Sequence, residues 1–409
     1  MNSRENAFII LENIFESKLF ANLALKKYLK CESKTEKAFA TEIVYGVMRY
    51  KMRIDYAIDQ YCQLKNQKVR NILRVGVYQL LYMSRVPVSA SCSETVNLAK
   101  KYANNYSGMV NAVMRKVSEK SIVFPDTLEM KYSFPREIIE VFKRSIGEDK
   151  LEDVLEALNT NKGLSARVNT LKTDTNTFEK ILIDKNIEYE KNDDCYSIKK
   201  AGDTLDSYFD LGMFTWQGAA SVKAAKLLNP VKGERVLDLC AAPGGKSCLM
   251  AELMENEGEI ISCDLHMHRV KLIENTAARL GVNIIKPIQN DASVFNEGIG
   301  TFDKILADVP CSGLGIIAKK PDIKWSEHDF DSLAALQFKI LKNAVKYVKD
   351  GGYIVYSTCT LNKTENENVV KRLLNENKQV VLDSDFITVM PDDLNDGFFM
   401  CRLRKVNNG

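Results

Sequence analysis

The sequence predicts a multidomain protein in which an all-α bundle is followed by a small α/β linker domain and a larger, doubly wound α/β domain. Three observations predict this fold class. The chain of 409 residues is too long for one ordinary hydrophobic core. Apolar residues recur at helical spacing near the amino terminus, and later in the chain β-type runs alternate with helices. The predicted domains span residues 1–125, 137–215 and 216–409.

The first predicted domain, residues 1–125, has apolar side chains three and four residues apart, which is the spacing of one face of a helix. The pattern begins at Ile10, Leu11 and Ile14 and returns along the whole segment, whereas strand-like alternation is scarce. Pro125 ends it. We therefore expect a bundle of helices in this part of the chain.

The second predicted domain, residues 137–215, combines helical stretches near 137–158 and 177–185 with a short β-like run at 166–171. This mixture over fewer than a hundred residues predicts a small α/β linker domain.

In the third predicted domain, apolar β-type runs alternate with helical patterns. The runs cover residues 235–240, 259–264, 284–290, 304–308 and 353–357. Such alternation predicts a doubly wound sheet that binds ligands at the carboxyl ends of its strands. After the last run we expect a helix to begin at Thr364, where Glu367 would complete a capping box.

Composition excludes several classes of protein. No run approaches the roughly 18 apolar residues of a membrane span, so we expect a cytoplasmic protein. The ten cysteines include no C-x-x-C pair, which favours reduced thiols. The three histidines show no metal-ligand spacing, and we expect no metal.

Charge is distributed unevenly along the chain. Residues 1–120 contain 20 Lys and Arg against 10 Asp and Glu, whereas the remainder contains 37 against 44. A basic amino-terminal region indicates a nucleic-acid partner, although a solvated basic surface gives the same count.

A turn of small residues, from Cys240 to Ser247, lies between a predicted strand and a helix, where backbone amides can approach a ligand closely. It is not a P-loop, because Cys240 stands where that motif requires glycine, and no G-x-G-x-x-G is present. Asp264 and Asp291 end the next two strands. A small-residue loop and two carboxylates suit a cofactor with a sugar and an adenine but no phosphates, such as S-adenosylmethionine (SAM). Alternatively, each aspartate caps a helix.

Two cysteines follow the last two strands of the sheet, Cys311 three residues after Asp308 and Cys359 after a Ser-Thr pair. A single cysteine there would usually be a small buried hydrophobe. C5 of cytosine, however, is too weakly nucleophilic to accept a methyl group until a thiolate adds to C6. The attack also needs a proton or hydrogen bond at N3, which Asp308 can supply if it is held protonated or shares a proton in a dry pocket. The same carboxylate can recognise the exocyclic amine.

These motifs resemble the Sun family of RNA cytosine-5 methyltransferases, in particular the bacterial RsmB type that modifies 16S ribosomal RNA. The matching stretches are Gln217–Ser221, Cys240–Ser247, Asp264 with Arg269, Asn290–Ala292, Asp308–Gly315, Pro321–Trp325, Ser357–Cys359, Glu365–Glu367 and Gly397–Phe399.

The resemblance implies a role for each matching residue. It makes Cys359 the nucleophile, gives Cys311 a part in product release, and implies methylation of cytosine 967 in the family's usual naming. It also implies that SAM is bound by Cys240, Ala241, Ala242, Pro243, Gly244, Gly245, Lys246, Asp264, Arg269, Asp291 and Asp308.

The first 120 residues are similar to the RNA-binding fold of the antiterminator NusB. The similarity rests on Glu42, Gly46, Arg49, Arg74, Tyr78, Gln79, Glu94, Asn111, Ala112 and Arg115. We expect a monomer whose partner is 16S ribosomal RNA or an assembling small subunit. Two alternatives stay open: the same chemistry on another ribosomal or transfer RNA cytosine, and a non-catalytic RNA-binding assembly factor.

Overall fold

A computed structural model describes residues 2–17, 19–160, 162–200 and 202–406. The chain forms two units: unit 1 is Met1–Asn159 with Lys319–Glu327, and unit 2 is Thr160–Ala318 with His328–Gly409. The boundary at Asn159 falls inside the predicted linker domain, because the helices near 137–158 pack in unit 1 while the strands of that segment form a sheet in unit 2. The three predicted domain ranges therefore stay a prediction.

Unit 1 is helical, as predicted. Its helices are α1 (Ser3–Ser17), α2 (Ala21–Tyr28), α3 (Lys34–Asp59), α4 (Gln67–Tyr82), α5 (Val88–Tyr102), α6 (Ser107–Glu119), α7 (Leu128–Tyr132), α8 (Arg136–Ile146) and α9 (Leu151–Ala157). The predicted apolar face forms the core, with Ile10 and Leu11 fully buried. The longest helix, α3, begins with a capping box between Ser33 and Glu36, which satisfies backbone amides that would otherwise lack a partner.

The segment Lys319–Glu327, although distant in sequence, completes unit 1. Lys324 is buried, and its ammonium group donates to the backbone oxygens of Arg49 (3.1 Å) and Ser133 (3.2 Å) and to Oδ1 of Asn159 (2.6 Å). Next to it, Trp325 packs against the core of the bundle. A buried ammonium requires such acceptors, so this segment is an integral part of unit 1.

Unit 2 begins with a small antiparallel sheet of order β2-β3-β1-β4. Its strands are β1 (Leu164–Val168), β2 (Tyr189–Asn192), β3 (Cys195–Ile198) and β4 (Phe214–Trp216), accompanied by helices α10 (Thr175–Asp184) and α11 (Asp206–Asp210). Phe178, Tyr196 and Phe214 form its core. This sheet supplies the β structure expected of the linker segment.

The large sheet has the order β10-β12-β9-β8-β5-β6-β7, with β11 paired to β12. Its strands are β5 (Arg235–Asp238), β6 (Glu259–Asp264), β7 (Ile285–Gln289), β8 (Phe302–Asp308), β9 (Val348–Thr358), β10 (Val380–Leu382), β11 (Ile387–Val389) and β12 (Phe398–Lys405). Strands β5 to β9 pair in parallel, and β12 is antiparallel to β9. The chain order reverses between β5 and β8, and at such a point a crevice opens at the carboxyl ends of the strands.

Helices cover both faces of this sheet, which confirms the doubly wound prediction. They are α12 (Ala219–Leu228), α13 (Gly245–Leu253), α14 (Met267–Leu280), α15 (Phe330–Tyr347) and α16 (Glu367–Glu376). Val236 and Ile260 pack with α12, α13 and α14, whereas Leu237 and Ile261 pack with α15 and α16. Because successive strand residues point to opposite faces, these near-continuous apolar runs fill two cores.

The last helix begins at Glu367, and not at Thr364 as the capping-box pattern predicts. Residues before it form a turn in which the side chains of Glu365 and Asn366 point inward. Glu365 accepts a hydrogen bond from Ser312 N, which is distant in sequence, and Asn366 accepts one from Thr358 Oγ1 at the end of β9. These tertiary contacts prevail over the local capping preference. Among the described helices, none combines the length and apolar character that crossing a membrane requires.

Candidate active site

The loop after β5 carries most of the predicted cofactor residues. Ala241 donates its backbone N–H to Cys263 O (2.8 Å), and Gly244 donates to Ala241 O (2.7 Å), so the turn is tied to the neighbouring strand β6. Gly244 has φ +104°, and a Cβ there would lie 3.2 Å from Ile273 Cα. Glycine is therefore required for the chain to turn into α13 beside α14. Cys240 and Gly245 are half-buried, and Pro243 is exposed.

Asp238, at the end of β5, is fully buried directly beneath this loop. Its Oδ2 accepts a hydrogen bond from Ser247 Oγ (2.6 Å), whereas Oδ1 has no partner among the described residues. Burial raises the pKa of Asp238 from 3.8 to about 7, although the Ser247 hydroxyl opposes that shift. The site therefore contains a buried carboxyl oxygen with unused capacity to accept a hydrogen bond.

Asp264 ends β6 and is buried, and Arg269 forms an ion pair with it (3.2 Å) while approaching Ala242 O (3.4 Å). Asp291 follows β7, is exposed, and accepts hydrogen bonds from the amide and hydroxyl of Ser293. The α-helix after β6 has His266 at its N-cap, and no α-helix of the described chain begins directly after Asp291. Helix capping therefore does not explain either aspartate.

The residues at the ends of β5, β6 and β7 fit SAM. Asp238 Oδ1 and Asn290 Nδ2 are buried atoms without a partner among the described residues, one an acceptor and the other a donor. SAM carries an ammonium group, two ribose hydroxyls and an adenine, whose polar atoms complement such groups. No cluster of His, Cys, Asp and Glu side chains in the described ranges has the composition of a metal site.

The predicted catalytic carboxylate, Asp308, ends β8 and has a partner on each oxygen. Lys246 Nζ lies 2.7 Å from Oδ2, and Ser357 Oγ donates to Oδ1 over 2.7 Å. Burial alone would lower the pKa of Lys246, but the adjacent Asp308 carboxylate outweighs burial and raises that pKa above its ordinary value. Lys246 is therefore a cation held at the carboxyl edge of the sheet.

The two predicted cysteines contact each other. Cys311 Sγ lies 3.2 Å from Cys359 Sγ, and both side chains are half-buried. The contact with Cys359 and burial, with the negative charge of Glu365, raise the pKa of Cys311 well above its ordinary value. The loop is fixed because Ser312 N donates to Glu365 Oε2 (2.8 Å) and Gly315 N donates to Cys359 O (3.0 Å).

The structure thus places the predicted catalytic residues at or after the ends of β8 and β9. The predicted cofactor residues lie at or after the ends of β5, β6 and β7, apart from Asp308 at the end of β8. Sequence reasoning did not assign roles to three residues that touch these groups, namely Asp238, Ser357 and Glu365. Asp238 and Ser357 stand at strand ends, which is a usable signal. Glu365 follows Thr364, where the sequence predicts a helix to begin, and the pattern does not indicate that its side chain points inward.

Comparisons with known proteins agree with this architecture. Residues 225–404 match the family described as 16S rRNA methyltransferase RsmB/F, and residues 1–119 match the NusB family. A probable ribosomal RNA small subunit methyltransferase B from Bacillus subtilis is 32% identical, covering 98% of each chain. Ribosomal RNA small subunit methyltransferase B from Shewanella oneidensis is 29% identical over 100% of both chains.

Solved structures show the same fold over nearly all of the chain in one case and over two thirds of it in another. The crystal structure of PH0851 matches with a TM-score of 0.84 and 28% identity, covering 99% of each chain. A methyltransferase homolog protein from Pyrococcus horikoshii matches 66% of this chain and 100% of its own with a TM-score of 0.58 and 27% identity. The chain therefore belongs to the RsmB/F family of 16S rRNA methyltransferases, is a SAM-dependent RNA cytosine-5 methyltransferase of the RsmB type, and has a NusB-family domain at its amino end.

Proposed function

We propose that this enzyme methylates C5 of a cytosine in 16S ribosomal RNA, cytosine 967 in the family's usual naming, through a covalent bond between Cys359 Sγ and C6 of the base. The observation that carries this proposal is the 3.2 Å contact between the sulfurs of Cys359 and Cys311, on neighbouring strands beside the Lys246–Asp308 ion pair. A thiol at this edge is what addition to C6 requires.

Addition needs the thiolate form of Cys359. The charge of a Cys359 thiolate is among the influences that raise the pKa of Lys246, so the two groups are close enough to stabilise each other. Lys246 is also fixed by Asp308, so its ammonium group does not have to reorganise when negative charge develops. The chain therefore supplies an electrostatic reason for the attack by Cys359.

Asp308 then forms hydrogen bonds with the polar edge of the base. Because Lys246 and Ser357 both donate to it, Asp308 acts as a hydrogen-bond acceptor suited to the exocyclic amine of cytosine. The Lys246 ammonium group, which is paired with Asp308, supplies the hydrogen bond that N3 needs as electron density moves into the ring. SAM supplies the methyl group that C5 accepts.

Product release reverses the addition. When a water molecule removes the proton from C5, the C–H bonding electrons restore the C5–C6 double bond, and the electrons of the C6–S bond leave with Cys359 Sγ as a thiolate. Cys311, kept protonated by its raised pKa, donates a hydrogen bond to the departing thiolate from 3.2 Å away. This assigns Cys311 to release and Cys359 to attack.

RNA recognition is assigned to the amino-terminal part of the chain. Residues 1–120 have twice as many basic as acidic residues, which suits contacts with phosphates. The target cytosine must leave its stack to reach Cys359. We propose that a monomer in the cytoplasm acts on 16S ribosomal RNA, free or in an assembling small subunit.

The test is mechanism-based trapping with 16S ribosomal RNA containing 5-fluorocytosine. Fluorine at C5 cannot leave as the proton does, so the adduct accumulates. Wild type and Cys311→Ser are expected to form a protein–RNA adduct that survives denaturation, whereas Cys359→Ser forms none. Absence of any adduct with wild-type protein would contradict the covalent mechanism. Bisulfite mapping of RNA from a deletion strain then identifies the cytosine that loses its methyl group. Continued methylation of cytosine 967 in that strain would contradict the proposed position.

A further inference from the structure

Glu365 lies in the turn between β9 and α16 and is fully buried. Oε2 accepts hydrogen bonds from Ser312 N (2.8 Å) and Gln337 Nε2 (3.0 Å), and Oε1 accepts one from Asn362 Nδ2 (3.1 Å). No lysine or arginine of the described ranges forms an ion pair with it. Burying a carboxylate without a cation is unfavourable, so a packing role alone is a poor explanation for an acidic residue here.

The contacts of Glu365 converge on the loop that carries Cys311. Ser312, whose backbone N–H donates to the Glu365 carboxylate, directly follows Cys311 in the chain. Gln337 donates both to Glu365 and to Pro310 O (2.9 Å), the residue before Cys311. The peptide groups on both sides of Cys311 are thus held by one buried network centred on Glu365.

Opposite charges therefore lie beside the two contacting sulfurs. The titratable groups whose charges raise the pKa of Cys311 are Cys359 and Glu365, and both are anionic when ionised. Lys246, which is paired with Asp308, acts on Cys359. A negative charge disfavours a thiolate and a positive charge stabilises one. The surroundings therefore give two chemically identical side chains different tendencies to ionise.

We propose that Glu365 is a positioning residue that decides which thiol attacks the base: it fixes the Cys311 loop and places a negative charge beside Cys311, which stays a neutral thiol and leaves Cys359 as the nucleophile. This inference rests on the proposed function, because it concerns which thiol attacks the base. The order in which the two thiols ionise can nevertheless be measured without RNA.

The experiment is alkylation of the full-length protein with iodoacetamide as pH is raised, with each cysteine quantified by peptide mass spectrometry. Only thiolates react, so the labelling rate follows ionisation. In wild type, Cys359 is expected to react at lower pH than Cys311. In Glu365→Gln, the ratio of Cys311 to Cys359 labelling is expected to rise about tenfold near neutral pH, the change that one pKa unit produces.

Two control variants separate charge from packing. Glu367→Gln removes a neighbouring acidic residue whose carboxylate accepts no hydrogen bond from the described Cys311 loop, and Glu365→Asp keeps the charge with a shorter side chain. Both are expected to leave the labelling ratio within about twofold of wild type. An unchanged ratio in folded Glu365→Gln, or an equal rise in Glu367→Gln, overturns the proposal, since a merely structural residue would lower stability without changing the order of ionisation.

The wild-type profile keeps the inference testable if Glu365→Gln does not fold. Equal labelling of the two cysteines, or earlier labelling of Cys311, overturns the proposal without any variant. Failure of the proposed function has a different signature, namely no Cys359-dependent adduct with 5-fluorocytosine RNA while the labelling order of the thiols is as expected.

Discussion

The sulfurs of Cys311 and Cys359 lie 3.2 Å apart although 48 positions separate the two residues in the chain. Parallel pairing of β8 with β9 sets this distance, because it aligns Asp308 with Ser357 and lets both strands end at the same edge. A disulfide needs an approach to about 2 Å, which is a small further movement. The contact therefore makes this pair of cysteines sensitive to oxidation.

We expect diamide, a thiol oxidant, to join Cys311 to Cys359, with loss of one hydrogen atom from each thiol to the oxidant. The product should be inactive, show the cross-linked peptide pair by mass spectrometry and recover activity with dithiothreitol. Cys248, which is fully buried, serves as an internal control and is expected to stay reduced. Recovery of other disulfides in preference to this one would contradict the arrangement of the site.

Removing the cation at the site should slow methyl transfer. Lys246→Met leaves Asp308 without its partner at 2.7 Å and removes the positive charge near Cys359. We expect single-turnover methylation to fall by about 10²-fold or more, the scale of a lost acid–base or electrostatic contribution. Ser357→Ala, which removes only a neutral donor to Asp308, should cost less. Calorimetry with SAM must accompany the assay, because a loss confined to cofactor affinity would contradict a role in the chemical step.

Cofactor binding should depend on the protonation of Asp238. Its pKa of about 7 means that much of this carboxyl group is protonated near neutral pH in the free enzyme, whereas the ammonium group of SAM favours the carboxylate. We therefore expect SAM affinity to rise with pH, by at most about tenfold per unit, between about pH 5 and about pH 7. Asp238→Asn should bind more weakly and lose this dependence. If SAM affinity still depended on pH in Asp238→Asn, the titrating group would be a residue other than Asp238.

The same shift predicts a pH effect on stability. Because the folded-state pKa of Asp238 lies above its ordinary value of 3.8, the folded protein holds the proton more tightly than the unfolded chain does. The stabilisation from protonation is full below pH 3.8 and is lost as pH rises towards about 7. In urea titrations, the difference between wild type and Asp238→Asn should change across this window and stay constant above it.

Much of the candidate site was predictable because its residues lie at the ends of regular parallel strands. Apolar runs identify β5 to β9, and the carboxyl ends of parallel strands meet at one edge, so Asp264, Asp308 and Cys359 were placed together from the sequence alone. The helical spacing of the first 120 residues likewise predicted unit 1.

What was not predictable depends on tertiary contacts. Lys324 is a charged residue whose local pattern indicates exposure, yet it is buried because acceptors from three distant segments surround it. The sequence places Glu365 in the first turn of a predicted helix, but its carboxylate accepts a hydrogen bond from the Cys311 loop. Such positions follow from the assembled fold, and no periodicity in the chain encodes them.

The segment Lys319–Glu327 should therefore be necessary for the stability of unit 1. Lys324→Met removes an ammonium group that donates to Arg49 O, Ser133 O and Asn159 Oδ1, and it leaves these acceptors unsatisfied in the interior. We expect a loss of about 2 kcal/mol in the free energy of unfolding, the scale found when buried hydrogen-bond acceptors lose their donor. Lys320→Met, at an exposed position of the same segment, should change it by about 0.5 kcal/mol or less. Both are measured by urea denaturation of the full-length protein, and equal effects of the two substitutions would show that burial of Lys324 contributes nothing specific.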